Sequence, residues 1–143
     1  GPLAGYPLIK LKVSIIQAEM DEERSTEVAF SIAAITLFRN ALIKGGSELL
    51  EPIMGLEILT PQEYTGEIIS DINMKKGRIL SIDQKSGKES IKAEAPLANL
   101  FGYSTDLRSK SQGRAVFTMM FDRYDGMDKD AAKTILEKKG IFI

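Results

Sequence analysis

Residues 101–114, which read FGYSTDLRSKSQGR, concentrate groups that can bind phosphate. Arg108, Lys110 and Arg114 supply three cations within seven positions, and two glycines lie near the ends of the segment. The hydroxyl of Ser109 lies between two of these cations along the chain. Arginine forks, hydroxyls and backbone amides are the groups with which proteins contact a nucleic-acid backbone. The segment therefore predicts contact with RNA or another phosphate, and the alternative interpretation is a solvated helix with its cap.

A second basic cluster, formed by Lys75, Lys76 and Arg78, follows a predicted helix. Because the helix dipole favours cations near a C-terminus, a structural role alone would explain this cluster. Within the first segment, the acid Asp106 is expected to hold Arg108 in place. The whole chain carries 19 basic and 20 acidic side chains and a net charge of −1, which excludes a generally cationic nucleic-acid binder. Any contact with nucleic acid must therefore come from a local basic surface.

No cysteine and no histidine occur among the 143 residues. Disulfides, thiolate zinc sites and catalysis by Ser-His or Cys-His pairs are therefore excluded. The carboxylates show no nucleophile–base arrangement, and the Walker phosphate-loop pattern is absent. The acidic run at residues 19–23 lacks the spacing of a calcium-binding loop and is interpreted as a solvated turn. The sequence thus predicts no catalytic, metal-binding or cofactor-binding residue in this chain.

The first third of the chain predicts one strand and one helix. Residues 9–15 alternate apolar and polar side chains, as a half-buried strand does. A helix capped by Ser25 or Thr26 follows and runs to about Lys44, before two glycines. This helix is apolar nearly all round, and such a helix needs cover on more than one side. We therefore expect residues 1–47 to be the tail of a larger domain. The longest mainly apolar run, residues 28–38, is well short of the roughly 20 residues that span a bilayer, so no membrane association is predicted.

The remainder of the chain predicts a ferredoxin-like βαββαβ sandwich, an α+β fold. Thr60 and Glu63 have the spacing of a capping box, and Gly77 is expected to end that helix in a left-handed C-cap. Residues 86–87, Ser-Gly, predict the turn of a hairpin. The predicted strands cover residues 52–59, 78–83, 89–95 and 115–121, and the second helical stretch covers residues 97–110.

The end of the chain predicts one more helix, over residues 128–139. Asp128 is its expected N-cap, and Gly140 is expected to close it. The last residues, 141–143, are apolar, so we expect them to pack on a neighbour or to stay mobile.

Several segments together resemble elongation factor G, the translational GTPase that drives tRNA–mRNA translocation. The resemblance covers nearly the whole chain, and its longest block contains the FGYSTDLRS stretch. The matching segments are AGYP at residues 4–7, ELLEPIM at 48–54, TPQEYTGEII at 60–69, KKGRI at 75–79, APLANLFGYSTDLRSKSQGRAVFTMMF at 95–121, and the lysine-rich last helix.

This resemblance implies a domain organisation and a set of partners. Residues 1–47 would be the C-terminal part of domain IV. This part would be a partial βα unit of a fold like domain 2 of ribosomal protein S5. Residues 48–143 would be domain V with its C-terminal helix. The partners would be ribosomal RNA and ribosomal proteins near the GTPase centre, with the mRNA–tRNA region reached through domain IV of the whole factor. GTP and Mg²⁺ would bind in a separate upstream domain, so this chain is expected to hold no cofactor and to neither bind nor hydrolyse GTP. The implied location is cytoplasmic.

The resemblance also gives the basic residues and the acidic turn specific roles. The candidate ribosomal RNA contacts are Arg108, Ser109, Lys110, Arg114, Lys75, Lys76 and Arg78. The tip loop of domain IV corresponds to Met20, Asp21, Glu22 and Glu23. Translocases usually carry a histidine in this loop, whereas Asp21 occupies that place here.

Two alternatives to a translocase stay open. A paralogue of elongation factor G that acts in ribosome recycling would fit the acidic tip. A non-catalytic protein-interaction module of ferredoxin-like type would bind a partner strand at its sheet or self-associate through residues 1–47. Unpaired strand edges and the over-apolar helix of the first third would fit this module.

Overall fold

Four antiparallel strands form one sheet in the computed structural model, which describes residues 1–141. The sheet belongs to a unit that spans Leu50–Gly126, whereas Gly1–Leu49 and the chain from Met127 onwards form a second unit. The strands are β1 (Leu50–Thr60), β2 (Arg78–Lys85), β3 (Lys88–Pro96) and β4 (Val116–Gly126), in the spatial order β2-β3-β1-β4. The four helices are α1 (Glu27–Gly45), α2 (Thr65–Met74), α3 (Tyr103–Lys110) and α4 (Lys129–Lys138).

The Leu50–Gly126 unit confirms the ferredoxin-like βαββαβ prediction. Both β3 and β4 pair antiparallel with the central strand β1, and β2 pairs with β3. Alternate residues of β1 and β3 face the helices, as the period-2 geometry of a strand requires. The core that results contains Leu56, Ile58, Ile68, Ile72, Ile91, Ala93, Ala95, Leu100, Tyr103 and Leu107.

The predicted hairpin between β2 and β3 is confirmed. Ser86 and Gly87 both adopt positive φ angles, 52° and 75°. Two consecutive left-handed residues make a turn whose twist matches that of the flanking strands.

The predicted capping box at Thr60 is wrong. Thr60 is the last residue of β1 and pairs with Glu89 of β3, and its side chain is fully buried. Its hydroxyl donates to the carbonyl oxygen of Pro61 at 3.2 Å instead of accepting from the first helical turn. A 3₁₀ turn over Gln62–Tyr64 then precedes α2, which begins without a side-chain cap.

The end of α2 also differs from the prediction. Lys76, with φ of 56°, adopts the left-handed conformation that was expected of Gly77. Gly77 is needed for a different reason, because a β-carbon there would lie 2.6 Å from Ile72 Cγ2 and 2.9 Å from the carbonyl oxygen of Glu94. The amide of Gly77 donates to the carbonyl oxygen of Ile72 at 2.9 Å and closes the helix. The glycine thus permits close approach rather than an unusual φ angle.

In the second unit the helix predictions hold and the strand prediction fails. The Thr26 hydroxyl accepts from the amide of Ala29, and α1 ends next to Gly46 at φ 72°. Residues 9–15 form no strand and are exposed. A strand needs a hydrogen-bonding neighbour, and the described part of this unit contains no second strand.

The C-terminal helix α4 follows its prediction. The Asp128 carboxylate accepts from the amide of Ala131 at 3.3 Å, and Gly140 has a φ of 75°. Of the apolar ending at 141–143, residues 142 and 143 lie outside the described residues.

Helix α1 is unusual because none of its residues is buried. Of the helices that the structure describes, it is the one long and apolar enough to cross a membrane by length and composition alone. The core helix of a soluble protein passes the same test, so one such helix does not establish a membrane span.

Candidate nucleic-acid interface

Helices α2 and α3 lie on one face of the sheet and contact each other. Ile68 and Ile72 of α2 pack into the same core as Tyr103 and Leu107 of α3. The Tyr103 ring meets the ring of Phe117 edge to face at 5.1 Å. This packing fixes which side of α3 is buried, and therefore which of its polar side chains can reach a partner.

Arg108 and Ser109 lie in the last turn of α3 and are exposed. Within residues 1–141, neither side chain makes an ion pair or a side-chain hydrogen bond. The helix ends in a tight turn in which Gln112 and Gly113 have φ angles of 51° and 76°. The amide of Gly113 donates to the carbonyl oxygen of Arg108 at 2.8 Å and secures this turn. Arg108 is therefore a cation on rigid backbone that has no intramolecular partner in the described chain.

The other basic candidates near α3 are paired with acids. Lys110 Nζ lies 2.6 Å from a carboxylate oxygen of Asp71, and Lys75 Nζ lies 2.8 Å from one of Asp106. The guanidinium of Arg114 pairs with the carboxylate of Glu63. The central carbon of this guanidinium lies 5.8 Å from the centre of the Tyr64 ring. The basic surface that the sequence predicted is therefore largely neutralised.

The predicted pair between Asp106 and Arg108 is not formed. Residues two apart on a helix point in different directions, whereas Asp106 faces α2 and meets Lys75. The hydrogen bond and charge of Lys75 lower the pKa of the Asp106 carboxyl. The same bond raises the pKa of Lys75. Arg108 is thus left unpaired by the geometry of α3.

The second basic cluster is divided between two faces of the sheet. Lys75 reaches α3, but Arg78 lies on the sheet face away from the helices and binds Glu94 at 2.7 Å. Glu94 also accepts from Arg123, which contacts Asp122 as well. Lys76 is exposed at the end of α2. The structure therefore does not bring Arg78 into the surface around Arg108.

Tyr103 is buried beside these charges, and its hydroxyl has no hydrogen-bond partner among the described residues. Burial raises the pKa of this phenol, and the nearby carboxylates of Asp71 and Asp106 raise it further. Lys75 Nζ lies 5.8 Å from the centre of the ring.

Replacing Tyr103 by phenylalanine is expected to make stability less sensitive to alkaline pH. A phenol whose pKa is raised by folding stabilises the folded state fully below its unfolded pKa of 10.0, and this contribution is lost as the pH rises beyond that value. Lys75 acts in the same direction and is retained in the variant. Urea unfolding between pH 8 and 11 should show a shallower decline for Tyr103→Phe than for the unmodified chain. Parallel curves would contradict the assignment.

The acidic segment that was predicted to be the tip loop forms a turn closed by its own side chains. A carboxylate oxygen of Asp21 accepts from the amides of Glu23 at 3.0 Å and Arg24 at 3.1 Å. The amide of Asp21 donates to the hydroxyl of Ser25 at 2.7 Å. Glu22 and Glu23 remain exposed. Asp21 therefore shapes the loop, a role that the acidic pattern alone did not reveal.

The sequence interpretation missed the acids that pair with the basic residues. Asp71 had no predicted role and Glu63 was expected only in a capping box, yet they bind Lys110 and Arg114. One signal was available: Asp71 and Lys75 are four residues apart, as are Asp106 and Lys110, so each pair lies on one side of its helix.

Comparisons with known proteins agree over both units. Residues 48–135 match the family model described as elongation factor G C-terminus, and residues 1–46 match that of elongation factor G, domain IV. A solved structure of a protein from Thermus thermophilus is 32% identical and superposes with a TM-score of 0.73 over 80% of this chain. The matched region spans 17% of that protein's chain. Because the first family model alone covers more than half of the sequence, the chain belongs to the elongation factor G family.

Proposed function

We propose that this chain is the C-terminal ribosome-binding region of an elongation factor G-type GTPase that promotes GTP-dependent tRNA–mRNA translocation. Residues 1–47 then belong to domain IV and residues 48–143 to domain V, which the two family matches support. GTP and Mg²⁺ bind in another domain of such a factor, since this chain has no Walker pattern. The chain supplies binding and orientation to a cytoplasmic factor rather than catalysis.

The observation that carries the proposal is the exposed pair Arg108 and Ser109 in the last turn of α3, whose side chains have no partner among the described residues. The Arg108 guanidinium can donate two parallel hydrogen bonds to a phosphate, and the hydroxyl of Ser109 can donate one more. The tight turn at Gly113 leaves room for a phosphate backbone to approach. We therefore assign the contact with ribosomal RNA to Arg108 and Ser109.

The sheet face away from the helices is a poorer candidate for RNA. Single-stranded RNA binds sheets through aromatic side chains on which bases stack. On this face the described side chains include Glu57, Glu94 and Arg123, which are tied into ion pairs. Because the charges of these side chains are already paired, we place the RNA contact on the helical side.

Replacing Arg108 by alanine is expected to weaken binding to purified ribosomes by about three- to tenfold at moderate salt, because one phosphate contact is lost. The slope of log affinity against log salt should also become shallower by about one, since fewer counterions are released. Fluorescence anisotropy of the labelled chain over a salt series measures both quantities. Lys88→Ala removes one exposed cation at the β2–β3 hairpin and serves as the control. Equal behaviour of the two variants would contradict the assignment.

The acidic tip loop favours a second function within the family, ribosome recycling. Glu22 and Glu23 are exposed, and negative charges that approach an RNA-lined site are electrostatically unfavourable. A translocase, whose tip loop must enter such a site, meets this penalty at every cycle. A recycling factor, which separates the ribosomal subunits, need not meet it. The whole factor and its Asp21→His variant are compared in assays of translocation and of subunit splitting. This comparison distinguishes the two functions.

The exposed helix α1 favours a different kind of partner, a second copy of this chain. Val28, Ile32, Ile35 and Leu37 are each at least 60% exposed. Exposed apolar surface of this kind marks interaction sites or aggregation-prone surfaces in soluble proteins. Light scattering decides this alternative, because a monomer at high concentration excludes self-association.

A further inference from the structure

Two ion pairs join α2 to α3 in a square of alternating charges. Asp71 and Lys75 lie on α2 and at its C-terminus, and Asp106 and Lys110 lie on α3. The side chains pair across the helices, Asp71 with Lys110 at 2.6 Å and Lys75 with Asp106 at 2.8 Å. We call these four residues the charge square. The square has no net charge, and it occupies two of the cations that made the sequence look basic.

The two pairs differ in how deeply they are buried. The Asp71 side chain is 7% exposed and that of Lys110 is 26% exposed, whereas the Asp106 side chain is 44% exposed. A buried carboxylate that loses its cation is strongly destabilising, since the remaining charge is neither paired nor hydrated. Lys110 therefore cannot leave Asp71 for an external phosphate without a large penalty.

The square also determines where the unpaired side chain of Arg108 points. Asp106 and Lys110 are four residues apart on the side of α3 that faces α2. Arg108 lies two residues from each of them and so projects elsewhere, into solvent. With both pairs formed, α3 cannot rotate about its axis, and the direction of the Arg108 side chain is held.

We infer that Asp71 and Lys110, supported by Lys75 and Asp106, are positioning residues for the contact between Arg108 and ribosomal RNA. Lys110 and Lys75 carry the positive charge that a phosphate contact needs. They nevertheless act through the orientation of α3 and do not touch phosphate. This inference rests on the proposed function, because it concerns the same RNA contact. It assigns different roles to residues that charge alone would group together.

Replacing Asp71 by alanine separates positioning from direct contact by the sign of its effect. If Lys110 contacted phosphate, removing Asp71 would free a cation and delete an acid, so affinity for purified ribosomes would rise. If the square positions α3, affinity falls, by about three- to tenfold as for the loss of one phosphate contact. Asp71→Asn keeps an acceptor for Lys110 without the charge and should retain most of the binding. A rise in affinity for Asp71→Ala would overturn the inference.

Two further variants and one exchange measurement separate positioning from other causes. Glu57→Ala also removes one acid, but from the opposite sheet face, where Glu57 pairs with Lys85; its affinity should not fall. Asp106→Ala breaks the more exposed pair, so it folds even if Asp71→Ala does not, and it should lower affinity in the same direction. Hydrogen exchange at the α3 amides should accelerate in Asp71→Ala and not in Glu57→Ala. Unchanged exchange together with unchanged affinity in both square variants would contradict positioning.

Failure of the proposed function gives a different result. If the unmodified chain does not bind ribosomes, or if Arg108→Ala binds as well as the unmodified chain, the RNA contact itself is wrong and the positioning role falls with it. If Arg108→Ala loses affinity while Asp71→Ala gains it, the RNA contact stands and only the positioning role is overturned.

Discussion

Replacing Gly77 by alanine is expected to lower the free energy of unfolding by about 3 kcal/mol, the upper part of the range for overpacking a tight site. The added β-carbon would lie 2.6 Å from Ile72 Cγ2 and 2.9 Å from two carbonyl oxygens, those of Ile72 and Glu94. Neither carbonyl can move freely. The first accepts the amide of Gly77 that closes α2, and the second belongs to β3, which pairs with β2 there.

Gly66 provides a matched control because it lies in α2, the helix whose end Gly77 closes. A β-carbon on Gly66 would meet no atom within 4 Å, and the residue is exposed. Gly66→Ala should therefore raise stability by up to about 1 kcal/mol through helix propensity. Urea unfolding followed by circular dichroism measures both variants. Similar effects of the two substitutions would mean that close approach at Gly77 does not matter to the fold.

Replacing Ile58 by alanine is expected to destabilise the Leu50–Gly126 unit by about 2–5 kcal/mol, the usual cost of a cavity in a core. Ile58 is fully buried and lies on the central strand, opposite Ile91 of β3 and Phe117 of β4. The atoms around it are held by the sheet, so the cavity cannot close.

Ile82 on the edge strand β2 is the control for this substitution. Its side chain is 46% exposed, so Ile82→Ala removes the same atoms but less buried area. Thermal or urea unfolding should show the larger loss for Ile58→Ala. An equal loss would contradict the assignment of the core to the helix-covered face of the sheet.

Much of the fold was readable from the sequence because its signals are local and repeated. The Ser86–Gly87 turn and the caps at Thr26 and Asp128 each depend on a few neighbouring residues. The failures have a different origin. The alternation at residues 9–15 is a true strand pattern, but a pattern cannot supply the neighbour to which a strand must bond. At Thr60 the capping-box pattern did not produce a cap, because the residue pairs with β3 as part of the sheet.

The site was less predictable because its contacts join residues that are far apart in sequence. The acid that pairs with Lys110 lies 39 residues away, and the acid that pairs with Arg114 lies 51 residues away. No local pattern reports such pairs. Composition could find the basic segment, but only the packing of α3 on α2 distinguishes Arg108, which is unpaired, from Lys110, which is not.

The central place of β1 has a consequence for how the chain folds. Leu56 of β1 pairs with Met119 of β4, so the chain must close a loop of about 60 residues to form that ladder. The β2–β3 hairpin, by contrast, pairs across the two-residue turn at Ser86 and Gly87 and can form within microseconds. We therefore expect β4 to join last. Refolding of the Leu50–Gly126 unit should be slow relative to helical proteins of its size, at a rate limited by the chain's search for this one distant ladder.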